Sequence, residues 1–337
     1  MKKIFLFLLF GASLIITNAQ SFKRIIVAQD GTGNYKTVQE AFDAVPLNNK
    51  NLLEIFIKKG IYKEKLHLDS AKNNVLILGE DPMATVLTYD DHTGTIAPDG
   101  SVINTMTSQS FYIKADDVTV KNLTIENNAG MTAGQAVAVR VQGDKVSFLG
   151  CRIVGFQDTL FTSSENSRQY YRACFIEGST DFIFGASTAV FDDCLIRSKK
   201  NSHVTAASTP KEHAYGYVFR RCKLVSDTGL NKVSLGRPWK PYASVTYIEC
   251  NIGEHILPQG WDNWKNPENE KTVRYSEYKN TGNGAGISAR VPWSHQLTDE
   301  EVKQYTLENI LRGWKPNGEL DSRSKIPWLP VGKAIYL

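Results

Sequence analysis

Two aspartates at a fixed spacing are the residues of this sequence best placed to do chemistry. Asp158 and Asp181 are 23 residues apart, and each follows a cysteine by seven residues. In a repetitive chain such residues lie above one another on successive turns, where neighbouring strands are about 4.8 Å apart. Two carboxyl groups that close cannot both ionise freely, so we expect one pKa to rise and the other to fall. The pair then offers an acid and an anion to a two-role catalytic site. Exposed turn aspartates and a calcium site are the alternatives.

Two glutamines, an arginine and a tryptophan add to this pair. Gln135 and Gln157 head adjacent turns, and an amide can donate to a developing oxyanion without adding charge. Arg237, in a rigid Gly-Arg-Pro-Trp turn, can hold one carboxylate with both arms of its fork. Trp239 offers a flat face to a sugar ring. Taken singly, each of these residues also has an ordinary structural explanation. The glutamines are equally typical of solvent-facing or stacked residues, the arginine of a surface residue and the tryptophan of a core residue.

The sequence around the first aspartate also predicts an irregular backbone. Gln157 and Asp158 are consecutive, and a regular strand points consecutive side chains to opposite faces. If both serve one groove, the backbone must bend between them.

The elements that position these residues show a repeat marked by the cysteines. The five cysteines are 23, 20, 28 and 28 residues apart, with an aromatic residue three before each one (Cys151, Cys174, Cys194, Cys222, Cys250). Leu123 fits the same slot one turn earlier. The odd count and the shared apolar frame predict a ladder of buried free thiols rather than disulfides.

A second track of short β-rich runs indicates the fold class. Its runs begin at Gln135, Gln157, Thr180 and His203, which are 22, 23 and 23 residues apart. Strand runs alone, separated by Gly, Asn and Asp at a period above 20, predict an all-β parallel β-helix in one domain. A β-sandwich, the alternative, requires no such period.

The open ends of such a stack need covering. A capping box from Thr37 to Glu40 predicts a short helix over residues 37–45, which closes the first turn. Thr298 begins a second predicted helix that runs to about Leu311 and stops at Gly313. We expect the tail to be extended and folded back on the solenoid (Trp314, Pro316, Pro327, Trp328, Pro330).

The first 19 residues read as a secretory signal peptide. Lys2 and Lys3 precede an apolar run that ends at Thr17-Asn18-Ala19, before Gln20. A membrane anchor is the alternative, but a helix that spans a bilayer needs about 20 apolar residues. We therefore expect residues 1–19 to be cleaved, residues 20–337 to form one domain, and the product to be periplasmic or extracellular.

The net charge of the chain limits the classes of partner that it is expected to bind. Cleavage lowers Lys+Arg from 39 to 37 against 35 Asp+Glu, so the net charge falls to about +2. That is too weak to indicate nucleic-acid binding, although it tolerates an acidic substrate. We expect no membrane span and a monomer.

Five motifs in order and spacing resemble the pectin methylesterases (pectinesterases). The resemblance runs from about Ile26 to about Gly286, and it is carried by Gly60-Ile61-Tyr62-Lys63-Glu64, Gly134-Gln135-Ala136-Val137-Ala138, Gly155-Phe156-Gln157-Asp158-Thr159-Leu160, Asp181-Phe182-Ile183-Phe184-Gly185 and Leu235-Gly236-Arg237-Pro238-Trp239. It implies a right-handed parallel β-helix that hydrolyses the methyl esters of galacturonate units in pectin (methyl-esterified homogalacturonan), with no metal or other cofactor.

The resemblance also implies roles for individual residues. Asp181 would be the nucleophile, and Asp158 the proton donor and then the base. Gln157 and Gln135 would stabilise the oxyanion, and Arg237 would pair with Asp181.

Substrate contacts follow from the same resemblance. Trp239 would contact the sugar, Thr105 matches a substrate-contacting threonine, and Phe182 and Trp261 would be aromatic residues of the groove.

Three other functions are consistent with parts of the pattern. A retaining glycosidase also uses carboxylates about 5–5.5 Å apart, but its transition state has no oxyanion for two glutamines to stabilise. A lyase would need calcium-binding carboxylates and a free arginine base. A catalytically inactive carbohydrate-binding solenoid would not need the polar groups.

Overall fold

The structure is a computed structural model that describes residues 23–320 and 327–328. The expected export signal, residues 1–19, lies outside the described residues. No helix in the described part of the chain is long and apolar enough to cross a membrane.

Three parallel sheets form the body of the molecule, and the complete turns between the two ends of the solenoid visit them in the same order. Sheet 1 has eleven strands: Lys23–Val27, Leu53–Ile57, Val75–Gly79, Val118–Lys121, Val146–Leu149, Arg168–Arg172, Thr188–Asp192, Tyr217–Arg220, Ser244–Ile248, Arg274–Tyr278 and His295–Gln296. Sheet 2 has eight: Gly60–Lys63, Thr85–Tyr89, Thr124–Asn127, Arg152–Val154, Phe175–Gly178, Leu195–Ser198, Lys223–Ser226 and Asn251–Ile252. Sheet 3 has seven: Leu66–Leu68, Phe111–Ile113, Val139–Val141, Leu160–Thr162, Ile183–Gly185, His203–Ala207 and Ser234–Pro238. The predicted parallel β-helix is confirmed.

The cysteine ladder lies inside this solenoid, between sheets 1 and 2. All five cysteines are free and buried. Each thiol donates to a backbone carbonyl of the turn below, at 3.2–3.5 Å. The prediction of stacked free thiols is confirmed, and their weak S–H donors each have an acceptor.

The aromatic residues three before the cysteines form a second interior stack. Their rings are 4.4–4.9 Å apart between neighbours and nearly parallel (Phe148, Tyr171, Phe191, Phe219, Tyr247). Because these turns place an aromatic side chain in the same slot, they share one continuous core.

A short helix, α1 (Val38–Asp43), covers the N-terminal end of the stack. Its N-cap Thr37 forms the expected capping box with Glu40. Phe42 is buried and stacks on Phe111 at 5.2 Å between ring centroids. The predicted cap is confirmed and is slightly shorter than 37–45.

The predicted C-terminal helix from Thr298 to Leu311 is wrong in its continuity. A 3₁₀ turn, Glu301–Gln304, is followed by a separate one-turn helix, α2 (Leu307–Ile310). The break occurs because Thr306 caps a new helix start, with its side chain accepting from the Asn309 N–H. Gly313, at φ 77°, ends this region as expected. Two further 3₁₀ turns span Thr105–Thr107 and Pro267–Lys271.

The described part of the tail folds back on the solenoid, as predicted. Trp314 packs against an apolar cluster on the outer face of sheet 1. The backbone carbonyl of Gly318 accepts from the Arg172 guanidinium at 2.9 Å, and the Trp328 indole donates to the Ala173 carbonyl at 2.8 Å. Pro330 lies outside the described residues.

Candidate functional site

Asp158 and Asp181 occupy the same position on successive turns. Each lies two residues before a strand of sheet 3, and those strands pair with Leu160 opposite Ile183. The Asp158 N–H donates to the Thr180 carbonyl at 3.0 Å, which extends the ladder to the aspartates. Both residues are only 6% exposed. The predicted stacking of the two residues is therefore present, with their backbones about one strand spacing apart.

The bend expected beside Gln157 is present. Asp158 has φ 63° and Asp181 has φ 49°, in the left-handed region that is uncommon for residues other than glycine. The Thr159 hydroxyl closes the turn by donating to the Phe156 carbonyl at 3.0 Å. A left-handed residue interrupts the alternation of the strand, so Gln157 and Asp158 need not point to opposite faces.

Gly178 lets the two turns stack this closely. A Cβ at this position would lie 2.6 Å from the Phe156 carbonyl oxygen and 2.2 Å from the Phe182 Cβ. Any larger residue would therefore force apart the turns that carry the aspartates.

Arg237 holds Asp181 with both arms of its fork. Nε donates to one carboxylate oxygen at 2.9 Å, and Nη2 donates to the other at 2.7 Å. In sheet 3, Ala206 pairs with Phe184 on one side and with Arg237 on the other. Because Ala206 is small, the arginine can reach back across it to the aspartate. The predicted pairing of Arg237 with Asp181 is confirmed.

Asp158 has different surroundings, and they change its pKa. Burial, and secondly the charge of Asp181, raise the pKa of Asp158 to about 8. The charge of Arg237 and a hydrogen bond from Gln135 oppose this rise. Asp158 therefore carries a proton at neutral pH and can donate it. The expected rise is present, although burial is a larger cause than the neighbouring carboxylate.

The two glutamines lie together on the adjacent turns. Gln135 and Gln157 form an isolated parallel bridge and are half-buried. Gln135 reaches Asp158 with its side chain, and its backbone carbonyl accepts from Thr93 at 2.9 Å. The Gln135 amide therefore contacts Asp158, and Gln157 lies beside Gln135 on the next turn. An amide in this position can donate to a developing negative oxygen.

Trp239 lies over an aromatic floor beside the aspartates. Phe161 and Phe184 stack at 4.4 Å between centroids, and Trp239 packs on them at 6.4 and 5.9 Å. Trp239 is half-buried, so part of its indole is exposed. Its predicted place beside the site is consistent with the structure.

Two of the expected groove aromatics are in the core instead. Phe182 is 0% exposed and Trp261 is 4% exposed, and both belong to the interior apolar cluster. Trp261 stacks on Tyr275 at 4.3 Å. Neither side chain lines the groove, because the left-handed Asp181 turns Phe182 inward and the interior stack includes Trp261.

Thr105 lies near the site and is linked to it through Thr93. It is half-buried at the start of a 3₁₀ turn, and its hydroxyl is 3.3 Å from that of Thr93. Thr93 in turn binds the backbone of Gln135, so Thr105 is linked to the oxyanion side of the site.

Three residues near the site were not anticipated. The Asp181 N–H donates to the His203 carbonyl at 2.9 Å. In sheet 3, Ile183 pairs with Thr205, so the strand register places His203 level with Asp181, one residue away from the alignment with Thr180 that the repeat had suggested. The His203 Nδ1 lies 2.7 Å from the Ser234 hydroxyl, and burial lowers the pKa of His203. Trp264 covers the Arg237 guanidinium, and Phe184 rather than Phe182 faces outward. If Thr205 had been aligned with Gly236 and the two strands compared residue by residue from there toward their N-terminal ends, the position of His203 would have been found.

Among residues 23–320 and 327–328 there is no group of three or more His, Cys, Asp or Glu side chains arranged to hold a metal. Both oxygens of Asp181 are engaged by a guanidinium instead. A protonated acid, a carboxylate aligned by arginine and two amides are together suited to acyl transfer.

Comparison with known proteins gives one family. The family model described as Pectinesterase matches residues 24–314. Pectinesterase 31 of Arabidopsis thaliana is 36% identical over 312 residues, covering 91% of this chain and 95% of that protein. A probable pectinesterase/pectinesterase inhibitor of Brassica napus is 37% identical over 300 residues, covering 85% of this chain and 50% of that protein. The chain thus spans nearly all of one relative and about half of the other.

Solved structures agree with the sequence matches. The pectin methylesterase from carrot has a TM-score of 0.80 and 33% identity, covering 86% of this chain and 93% of that one. Pectin methylesterase PemA from Erwinia chrysanthemi has a TM-score of 0.78 and 28% identity, covering 90% and 100%. A pectin methylesterase in complex with a hexasaccharide has a TM-score of 0.78 and 28% identity, covering 88% and 99%. The shared fold is the right-handed parallel β-helix.

Proposed function

This chain belongs to the pectinesterase family of carboxylic ester hydrolases, and from that premise we propose that it removes methyl esters from the galacturonate units of pectin. The products are methanol and pectate. The observation that carries the proposal is the pairing of a carboxylate held by Arg237 with a neutral acid one turn away.

Asp181 is the nucleophile in the proposed reaction. One of its oxygens adds to the ester carbonyl carbon, and the carbonyl oxygen takes up the negative charge. The amides of Gln135 and Gln157 donate to that oxygen, and one such donor is typically worth about 10²–10³ in rate. Arg237 keeps the carboxylate ionised and aligned for attack.

Asp158 moves the protons. It gives its proton to the departing methoxy oxygen, so that methanol leaves and an acyl-aspartyl anhydride forms on Asp181. The ionised Asp158 then takes a proton from water, whose oxygen attacks the acyl carbon. Collapse of that intermediate frees the galacturonate acid and Asp181, and Asp158 is protonated again. Because the pKa of Asp158 is near 8, the same group can serve in both directions near neutral pH.

Substrate is held by the groove that surrounds these groups. We propose that Trp239 lies against a sugar ring and that Thr105, which is linked to Gln135 through Thr93, contacts the chain. Phe161 and Phe184 support Trp239 from below. The hexasaccharide complex of a structural relative supports an oligosaccharide in this groove.

The test is simultaneous measurement of acid and methanol from highly methylated pectin. We expect one proton and one methanol per ester cleaved, with no loss of chain length. Chain shortening without methanol would indicate a glycosidase, and an unsaturated product that absorbs in the ultraviolet would indicate a lyase. Acetylated pectin without methyl esters should release little acid.

We also propose that residues 1–19 direct export and that residues 20–337 act as one monomeric domain outside the cytoplasm. The charged start and apolar run of residues 1–19 support the first point. Amino-terminal sequencing of exported protein should begin at Gln20. Light scattering should give one chain per particle, and a dimer would contradict the proposal.

A further inference from the structure

The guanidinium of Arg237 is held on its face as well as on its edge. Its edge donates two hydrogen bonds to Asp181, and its carbon atom Cζ lies 3.7 Å from the centre of the Trp264 ring. Trp264 is half-buried and packs on the apolar groove floor (Val137, Phe161, Phe184, Ala206). Arg237 must extend over Ala206 to reach Asp181, so the indole is a lateral support that the short alanine side chain does not provide.

The loop that carries Trp264 is tied to the strand that carries Arg237. Trp261 forms a bridge with Gly236, and the Asp262 N–H donates to the Gly236 carbonyl at 3.1 Å. The Asp262 carboxylate then accepts from the Trp264 N–H at 2.7 Å. The indole and the guanidinium therefore share one backbone frame.

Trp264 itself has a costly backbone conformation. Its φ is 61°, and that of Lys265 is 54°; such values are unusual for bulky residues. The loop keeps this conformation through Asn269, which is 7% exposed and donates to the Asn263 carbonyl at 3.0 Å. Strain of this kind persists only where the surrounding structure fixes it, and here it places the indole over the arginine.

We propose that Trp264 is a positioning residue for the esterase reaction, acting by keeping the fork of Arg237 on Asp181. The inference rests on the proposed function of the Asp181–Arg237 pair. The face of an indole attracts a guanidinium and restricts its rotation, so both donors stay aligned with the carboxylate. Without the indole, the guanidinium can turn toward solvent and leave the nucleophile misaligned.

Trp239 provides a matched comparison. It is also a half-buried tryptophan of the groove, but it packs on Phe161 and Phe184. We expect Trp239 to act on substrate binding and Trp264 to act on the chemical step.

A double-mutant cycle separates the two roles. In the wild-type background, Trp264→Ala should lower kcat about tenfold with KM within about twofold, and Trp264→Phe should restore most of the loss. In an Arg237→Gln background, Trp264→Ala should cost less than about twofold more. Trp239→Ala should raise KM by a similar factor in both backgrounds. An undiminished Trp264→Ala effect without the arginine, or an effect confined to KM, would overturn the proposal.

A measurement without turnover keeps this test separate from the proposed function. The Arg237 Nε–H signal in an NMR spectrum, assigned with Arg237→Gln, should be protected from exchange in the wild type. In Trp264→Ala it should exchange at least tenfold faster, and in Trp264→Phe it should stay protected. Unchanged protection in Trp264→Ala would refute the positioning role even in a protein that released no methanol. If Trp264→Ala does not fold, the Arg237 Nε–H signals of Trp264→Phe and Trp264→Leu are compared instead. Equal protection of that signal in both variants would refute the positioning role.

Discussion

Two turns of this solenoid use the same unusual backbone and do different things with it. Between sheets 1 and 2, the residue before each ladder cysteine is left-handed, with φ of 51–61° (Gly150, Ala173, Asp193, Arg221, Glu249). Between sheets 2 and 3, in the part of the chain that the structure describes, the left-handed residues other than glycine are Asp158 and Asp181. The first turn recurs at each cysteine with five residue types, whereas the second occurs twice and is aspartate both times.

The hydrogen bonds show that the two turns are built alike. The Ala173 N–H donates to the Asp192 carbonyl of the next turn at 2.9 Å, and the Asp181 N–H donates to the His203 carbonyl at 2.9 Å. In each case the ladder between turns offsets the cost of a left-handed residue, about 1–2 kcal/mol. The difference is where the side chain goes. The turn beside the cysteines tolerates arginine and glutamate, whereas the turn beside the groove buries its carboxyl groups next to Arg237.

The largest loss of kcat should come from replacing aspartate by asparagine in the turn beside the groove. The same substitution in the turn beside the cysteines serves as the control. Asp181→Asn and Asp158→Asn should each lower kcat for methanol release by about 10⁴, because each removes a nucleophile or a proton donor. Asparagine tolerates left-handed backbone, so both variants should fold. The matched variant Asp193→Asn should keep wild-type kcat. Wild-type turnover by Asp181→Asn would contradict the assignment.

The glutamines should show the next largest effect. Gln135→Ala and Gln157→Ala should each lower kcat by about 10²–10³, since each removes a donor to the oxyanion. The interior Gln169, which accepts from the Tyr171 hydroxyl at 2.7 Å, gives a control. Gln169→Ala should lower the melting temperature but leave kcat unchanged. Equal kcat losses in all three variants would indicate a general structural defect.

The pH dependence should distinguish the two turns as well. Turnover needs protonated Asp158, so kcat/KM should fall about tenfold per pH unit above about pH 8. The stability of the fold should depend on the same group. Between about pH 4 and pH 8, Asp158 keeps a proton in the folded protein that it has lost in the unfolded chain. The free energy of unfolding should therefore fall as the pH rises through this range. Asp158→Asn should therefore melt higher than the wild type at pH 8 and by much less at pH 4. Asp193→Asn should show no such gain in melting temperature at pH 8. An equal gain in that variant would mean that the turn beside the groove does not differ from the turn beside the cysteines in this respect.

The smallest effect concerns the repeated turn alone. Ala173 has φ 51°, and glycine adopts that conformation without a Cβ penalty. Ala173→Gly should raise the free energy of unfolding by up to about 1 kcal/mol and leave kcat unchanged. Urea unfolding measures the first quantity, and methanol release measures the second. A loss of stability would mean that the left-handed turn carries no strain there.

What could be predicted from the sequence is mainly what repeats. The cysteine slots predicted the interior ladder because each turn places the same side chain in the same environment. Asp158 and Asp181 are separated by the same 23 residues as the cysteines that precede them, and this spacing predicted their stacking for the same reason. The Gly-Arg-Pro-Trp motif suggested Arg237, but only the structure shows that Ala206 lets it reach Asp181.

What could not be predicted is where the repeat changes locally. A left-handed residue at Asp181 breaks strand alternation, which is why Phe182 was wrongly placed in the groove. Turn lengths differ by single residues, so His203 was aligned with Thr180 although the register of sheet 3 places it level with Asp181. Trp261 was wrongly assigned because its neighbour in the interior stack, Tyr275, is remote from the motifs.

The most direct measurement is the titration of the Asp158 carboxyl group itself. In protein labelled with ¹³C at the aspartate carboxyl carbons, one resonance should titrate near pH 8 and be absent from Asp158→Asn. It should persist in Asp193→Asn. If no aspartate resonance titrates above about pH 6, or if that resonance survives in Asp158→Asn, the two stacked carboxyl groups do not differ in protonation at neutral pH and the account is contradicted.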